Sequence, residues 1–463
     1  MSARALWLGG AATLLISGAT VAAEPDVAGD AYPTLKGGAD LRVRQEYYDN
    51  IPRVTGPSVE NNYLRVRTRG WGEIDFAPNV LVLGRLTNEF RYYWEPNEDA
   101  VTDIWPFAGE AAVDALYLDW KGLLDNTLDV RLGRQDMMYG NGRVLMDGTP
   151  KDGSRTFYRD GFKLSYRGLA DNTVDFLGIY DSPENQLAIN SQNYDLTGLF
   201  GPVTVDNDMT EKGGGLYWKS KTYQSLPFEA YWLFKEETEW SQPAAGRPPP
   251  QATREGNQYV NPELNLNTFG VRLIPKFGPE LDANLEMAYQ VGERGSADQT
   301  GYMVDALLNW RPPVVASLKP VLGAGWYLLS GDDPSTPDKN EGWDPLWARW
   351  PQYSELYVYA WQQVGYWTNL SLPHVDLELA PTSWYKTNVL LGYMYAMEDD
   401  GPGTGKDRGL LFTWWNHFTM GEKLLMKGDK LTGHLLLEIV DPGDYYSDDS
   451  TSVFARWNLQ YTF

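Results

Sequence analysis

Residues 64–69 read Leu-Arg-Val-Arg-Thr-Arg, which sets three guanidinium groups on alternate positions. In an extended chain successive side chains point to opposite faces, so Arg65, Arg67 and Arg69 share one face while Leu64 and Val66 occupy the other. The same parity sets Arg42 and Arg44 against Leu41 and Val43, and makes Arg85, Thr87, Glu89 and Arg91 co-facial. Asp129, Arg131, Gly133 and Gln135 oppose Val130 and Leu132, and Lys163, Arg272 and Arg456 continue the pattern. Acids follow it too: Glu229, Asp282, Glu286, Asp305 and Glu438, with Leu281, Ala283, Leu285, Met287 and Tyr289 opposing Asp282, Asn284, Glu286 and Gln290. A wall of fixed cations faced by carboxylates does electrostatic rather than covalent work. Arginine and lysine raise the local potential and favour anions, and facing acids narrow and orient the field. The competing use of the same residues is a lattice of salt bridges that fills an interior, and the two uses can coexist.

Such a pattern needs strands with an apolar surround on one side and a wetter one on the other. A cation on the lipid face at mid-bilayer costs about 2–4 kcal/mol, so these charges are expected to face the inside of a transmembrane barrel. About 18 alternating segments can be read between residues 38 and 463, from 38–48, 62–75 and 80–93 to 407–418, 429–439 and 452–463. Pro373 interrupts the fourteenth. Connections after even-numbered segments are mostly short, such as Phe76 to Asn79, Gly122 to Asn126 and Ala380 to Thr382. Those after odd-numbered ones are mostly long, as at 94–111, 137–158, 182–211, 237–264 and 331–366. Short periplasmic turns and long outer loops are the habit of outer-membrane barrels, and an even strand count returns Phe463 to the periplasmic side. The expected fold is an all-β, antiparallel up-and-down transmembrane barrel over residues 24–463. Residues 1–23 are expected to be a secretory signal: Arg4, an apolar run from Leu6 to Thr20, then Val21-Ala22-Ala23. Trp457 to Phe463 alternates apolar with polar and stops on a bare aromatic, the usual signal that hands such barrels to their assembly machinery.

Composition excludes several other classes. The net charge of −23 argues against nucleic-acid binding. There is no cysteine for disulfides or thiolate chemistry, and His374, His417 and His434 have no metal-ligand spacing. No metal or other cofactor is expected. Nucleophile elbow, H-E-x-x-H and P-loop are all missing; Gly405-Lys406 is followed by Asp407 where a Walker motif needs Ser or Thr. The 19 Trp and 29 Tyr suit the aromatic girdles of a barrel, although some facing the lumen could stack on sugar rings. Acid collects in the outer loops, at 95–103, 332–344, 398–400 and 441–449. Those loops are either solvated surface or weak divalent-cation binders beside lipopolysaccharide, and no run has EF-hand spacing.

One segment resembles a known family. Val130-Arg131-Leu132-Gly133-Arg134-Gln135 is followed by Tyr139-Gly140-Asn141-Gly142-Arg143 and then by Thr156-Phe157-Tyr158-Arg159-Asp160-Gly161-Phe162-Lys163-Leu164-Ser165-Tyr166. This is similar to the alginate export family of outer-membrane porins. The resemblance implies an 18-stranded, monomeric barrel with an arginine-lined constriction that passes an anionic polysaccharide. Arg131 and Arg134 match the motif; parity turns Arg131 inward and sets Arg134 at the rim or in a twisted strand end, where it would anchor the long loop.

The expected function is a Gram-negative outer-membrane channel passing anionic polysaccharide or other acidic sugars by diffusion, with outer loops as lids and lipopolysaccharide and lipid around it. The candidate pore residues are Arg42, Arg44, Arg65, Arg67, Arg69, Arg85, Arg91, Arg131, Lys163, Arg272, Glu286 and Arg456. A general small-solute uptake porin is the alternative within transport. A plugged barrel displaying acidic loops as a surface binding protein and an outer-membrane enzyme are the alternatives outside it.

Overall fold

The computed structural model describes residues 32–51, 59–94, 110–146, 158–182, 187–191, 210–243, 253–255, 258–348, 352–356, 368–401 and 403–463. The expected signal at 1–23, the acids at 95–103 and Thr156-Phe157 lie outside them.

Eighteen antiparallel strands form one closed barrel: β1 (Thr34–Ile51), β2 (Val59–Ala77), β3 (Val80–Tyr93), β4 (Glu110–Gly122), β5 (Leu128–Gln135), β6 (Arg159–Tyr166), β7 (Asn172–Asp181), β8 (Glu211–Ser220), β9 (Phe228–Glu237), β10 (Leu264–Leu273), β11 (Leu281–Arg294), β12 (Ala297–Trp310), β13 (Val321–Leu329), β14 (Leu370–Leu379), β15 (Tyr385–Tyr395), β16 (Asp407–Glu422), β17 (Lys430–Asp441) and β18 (Ser452–Thr462). Each pairs with its sequence neighbour, and β1 closes on β18 from Asp40↔Thr462 to Asp49↔Val453. Phe463 continues the seam, exchanging backbone hydrogen bonds with Ala39 at 2.8 and 3.0 Å. Every strand expected from the alternation is present. Closure leaves no edge, which is what lets a sheet stand in hydrocarbon.

Alternation has the expected physical origin. Along β1, Asp40, Arg42, Arg44, Glu46 and Tyr48 are buried in the interior, while Leu41 between them is exposed on the outer face. Outward-facing tryptophans keep their indole N–H groups satisfied without water. Trp218, Trp232, Trp326, Trp414 and Trp457 donate to Asn172, Asn267, Ser371, Thr387 and Gln45 on the neighbouring strands, at 2.8–3.0 Å. Pro373 is accommodated within β14. It faces Trp326 across β13, and the ladder to β15 runs from Ser371↔Tyr395 to His374↔Gly392 without a partner for Pro373, which has no N–H to give.

Two long loops turn into the barrel. Residues 137–146, after β5, and 343–348, after β13, meet as a short parallel pair, Leu145–Met146 against Trp347–Ala348. Val144, Leu145, Trp343, Leu346, Trp347 and Leu356 are buried in one apolar cluster with wall residues such as Tyr48, Tyr217, Leu233 and Phe454. The core of this barrel therefore lies inside it. Among the described residues no helix is long and apolar enough to cross a membrane; the strands do so.

Candidate functional site

The interior charge falls into three regions. The first spans β18 and β1–β3. Glu46 meets Arg44 (3.1 Å), Arg65 (3.0 Å) and Arg456 (3.0 Å), and accepts a hydrogen bond from Tyr63. Glu89 meets Arg65 (2.8 Å), Arg42 (3.6 Å) and Arg91 (3.8 Å), and Asp40 meets Arg67 (3.1 Å) and Arg69 (2.6 Å). Register explains the clustering: Arg44 lies opposite Arg65, Arg42 opposite Arg67, and Arg65 opposite Arg91, so cations stack across three strands and need interleaved carboxylates. Arg85 is held apart from this set by Asp114 (2.7 Å) and Asp136 (2.9 Å).

The second region spans β6–β12. Arg159 meets Asp181 and Glu211; Lys235 meets Glu211 and Glu237; Arg294 meets Glu237 and Asp344; and Arg272 meets Glu229. Glu286 accepts from Tyr231 at 3.0 Å, while its Oε2 is buried without a hydrogen-bond partner. The first infolded loop lies over this wall. Tyr139 donates to Asp175 (2.9 Å), Asn141 accepts from Arg272 (2.9 Å), and Arg143 donates to Asp305 (2.7 Å) with its guanidinium 4.8 Å from the rings of Tyr327 and Tyr353.

The second loop is described over 343–348 and 352–356, and these two pieces meet opposite walls of the bore as a crossbar. One end is fixed on the β6–β11 side through Asp344 and the backbone carbonyls of Leu346 and Trp347, which accept from Lys235 (3.1 Å) and Arg159 (3.2 Å). The other end lies against β17 and β18: Ser354 Oγ and the N–H groups of Glu355 and Leu356 donate to Glu438, and Arg456 meets Glu355 at 2.6 Å. Between the ends, Tyr353 donates to Asp305 (2.8 Å), and Gln352 donates to the carbonyl of Gly142 (2.9 Å) and accepts from Arg143.

The third region is a vestibule on the short-turn side of the loops. Arg131 and Lys163 are cross-strand partners on β5 and β6, and Lys219 comes from β8. Arg131 makes a bidentate bond to Asp119 at 2.6 Å over the ring of Tyr117 (4.1 Å), and Lys219 meets Asp175 at 2.7 Å. The ammonium of Lys163 lies within electrostatic reach of all four of those charges and makes no ion pair or hydrogen bond among the described residues. Arg131 and Lys219 keep 25% and 39% of their side-chain surface exposed, whereas Arg42 and Arg44 keep 2% and 0%.

The barrel matches the family model for alginate export over residues 34–402. The chain belongs to the alginate export family. Solved structures share its fold: Acinetobacter baumannii OccAB1 (TM-score 0.56, 11% identity, covering 93% of this chain and 96% of that one) and Pseudomonas aeruginosa OccK5 (OpdH) (TM-score 0.54, 13% identity, 92% and 98%). The outer membrane protein opdK from Pseudomonas aeruginosa is similar to the same degree (TM-score 0.53, 11% identity, 92% and 98%). No curated protein sequence matches the chain. Family and fold are those of a channel-forming outer-membrane barrel.

Within this alginate export barrel, all twelve candidate pore residues carry the inward parity, but they do not form one surface. Arg42, Arg44, Arg65, Arg67 and Arg456 are buried in the first region; Arg69, Arg85, Arg91 and Arg272 are partly exposed; Glu286 is buried behind the first loop; Arg131 and Lys163 line the vestibule. Arg134 is at the long-loop end of β5. It clasps Asp160 on β6 (2.7 and 2.8 Å) and the carbonyl of Val113 on β4 (2.9 Å), with Tyr158 beneath it at 3.6 Å. Sequence parity missed Lys219, although Tyr217 and Lys219 alternate with Leu216 and Trp218. It also missed Arg143, Asp344 and Tyr353, which sit in loops, where no period reports a direction.

Proposed function

We propose that the chain is a passive outer-membrane channel of a Gram-negative envelope, biased toward anions and passing acidic sugars, with the short turns periplasmic and the long loops outside. The vestibule carries this proposal. Arg131 and Lys219 each meet one carboxylate there, and Lys163 lacks an ion pair among the described residues. An anion entering from the short-turn side meets a surplus of fixed positive charge in a low-dielectric wall. Tyr117 brings a partly exposed ring beside Arg131, suited to a sugar ring bearing a carboxylate. The buried arginines of β1–β3 act behind the surface, through the field they set up. The channel works as a monomer among lipid and lipopolysaccharide, assembled through Phe463.

A small-solute anion porin is the second reading, and the crossbar favours it. A chain segment lying across the bore leaves less room for a polymer than for a monomeric acid. The test is single-channel recording of the refolded protein in a planar bilayer under a salt gradient, followed by alginate. Anion-selective current that alginate blocks supports passage of acidic polysaccharide. Anion-selective current indifferent to alginate but blocked by small acidic sugars supports the porin. Cation-selective current would refute both.

A further inference from the structure

The eight short turns do not look like turns that end in water. Each raises a large apolar side chain that is 52–80% exposed. In three of them the nearest basic side chain is already held by an acid. Phe76 follows Asp75, which meets Lys36 at 2.8 Å; Leu169 stands by Arg167, bound to Asp129; and Trp384 stands by Lys386, 2.6 Å from Glu378. In the other five, Leu124, Tyr223, Phe277, Val315 and Leu425 lie within four residues of Lys121, Lys221, Lys276, Lys319 and Lys423. Those five lysines are exposed and make no ion pair among the described residues. Asp125 and Glu280 share two of the five turns and engage neither lysine. In a chain of net charge −23, cations left unneutralised beside exposed apolar residues stand out.

The turn between β16 and β17 shows that the exposure is built in. The Asp429 carboxylate accepts the N–H groups of Leu424 (2.6 Å), Leu425 (2.6 Å) and Met426 (2.9 Å), and the hydroxyl of Tyr461 on β18 (2.6 Å). One buried acid thus satisfies the backbone of three successive apolar residues and ties the turn to the last strand. It is spent on that task, and Glu422 is spent on Lys430 at 3.4 Å, so neither neutralises Lys423. Leu425 is left 80% exposed at the tip.

We propose that the short-turn rim is a lipid-binding foot: its apolar side chains enter the acyl boundary of the periplasmic leaflet, and its five lysines bind the phosphates of anionic phospholipid. This rests on the reading that places the short turns in the periplasm. Continuity argues for lipid as the occupant. Trp120, Trp310 and Met420 are exposed on the hydrocarbon face just before Leu124, Val314 and Leu425, so the apolar surface of the strands runs into the turns. Distribution argues the same way. The apolar residues stand on every turn around the rim, whereas a docked protein would cover one sector. Lysine on a flexible stem can lie along apolar surface and still reach a phosphate, and its attraction to an anionic leaflet acts within about 10 Å of the surface.

The chain has no cysteine, so single-cysteine variants can be labelled cleanly. Leu425→Cys and Phe277→Cys report on the rim, and Ser335→Cys, on the long loop after β13, is the water-exposed control. Each carries an environment-sensitive fluorophore and is refolded into phosphatidylcholine vesicles containing phosphatidylglycerol, with iodide on both sides. The two rim labels are expected to be quenched by lipids bearing a nitroxide near the headgroup, and about fivefold less by iodide than the control. Iodide quenching equal to that of the control would overturn the foot. At equal content, nitroxide-labelled phosphatidylglycerol is expected to quench about twofold more than labelled phosphatidylcholine, and changing the five lysines to Gln should abolish the difference. No difference with the lysines in place would overturn the choice of anionic lipid. The orientation is tested separately: on intact cells an impermeant maleimide should reach Ser335→Cys and not Leu425→Cys, and the reverse pattern would overturn the periplasmic reading itself.

Discussion

The walls on either side of the crossbar use the same residue types to opposite effect. Around β18 and β1–β3, seven cations (Arg42, Arg44, Arg65, Arg67, Arg69, Arg91, Arg456) meet four carboxylates (Asp40, Glu46, Glu89, Glu355) among the described residues. Around β6–β12, five cations (Arg143, Arg159, Lys235, Arg272, Arg294) stand among seven carboxylates (Asp181, Glu211, Glu229, Glu237, Glu286, Asp305, Asp344). Both walls are salt-bridge lattices that fill space, yet among these residues their surpluses differ in sign, a difference that would set a field across the bore. Buried ion pairs contribute little net stability over apolar packing, because desolvation offsets attraction. Their retention here is better explained by the field and by the exact partners each charge selects. What is costly is to leave one member of a lattice alone, and the two walls should differ in how they respond.

The strongest way to break the comparison is at Arg65, which bridges Glu46 and Glu89, both fully buried. Arg65→Ala leaves the two acids short of their shared cation and is expected to cost about 3–5 kcal/mol. Urea titration of the folded barrel, read by heat-modifiable migration, measures it; an unshifted midpoint would show the network to be ornamental. Changing Arg65, Arg67 and Arg69 together to Gln, which parity alone offers as a probe of selectivity, therefore disturbs assembly as well. On the acid wall the same operation has the opposite sign. Glu286 has an orphaned oxygen beside Asp305 and Glu229, so Glu286→Gln should be neutral or stabilising by about 1 kcal/mol in the same titration. Destabilisation equal to that of Arg65→Ala would erase the distinction.

Much of this was legible in the sequence, for a reason that can be stated locally. A one-residue slip of β2 would send Arg65, Arg67 and Arg69 into hydrocarbon, so the register is fixed by the charges themselves. That is why the strands and their inward residues follow from parity. The loops have no such constraint. Arg143 and Asp305 are 162 residues apart, and nothing in Gly140-Asn141-Gly142-Arg143 says that it turns inward rather than out. Which carboxylate each arginine meets was equally hidden, because pairing depends on the stagger of neighbouring strands and on the loops that fold between them. The arginine face that parity predicts is a buried lattice around β1–β3, the second of the two uses the pattern allows, with Arg131, Lys163 and Lys219 forming a separate, more exposed group.

The vestibule sharpens the comparison without touching either lattice. Lys163 makes no ion pair among the described residues, so Lys163→Gln should leave unfolding unchanged while lowering the anion-to-cation permeability ratio by about threefold, the scale of one unit charge in a screened, water-filled bore. Reversal potential in a salt gradient reads this directly. A ratio that stays at the wild-type value would transfer the selectivity to the buried arginines.

The acid surplus also continues beyond the bilayer, at the rim above β13, where pH can read it. Burial of Asp332 pushes its carboxyl up to about 6, and the nearby Glu341 and Asp400 carboxylates add to this, against the Glu341 N–H it accepts at 2.9 Å. A raised acid binds its proton more tightly in the folded loop than in the open one. Its contribution is therefore complete below about pH 4 and is lost as pH rises through about 6. Amide exchange of residues 332–341, corrected for intrinsic rates, should quicken by roughly twofold from pH 4.5 to 7, a small change because the side chain is half-exposed and screened. Asp332→Asn should flatten that dependence and leave the reversal potential alone. If it moved the reversal potential instead, rim and bore would share one field, and the opposition of the two walls would extend the full height of the barrel.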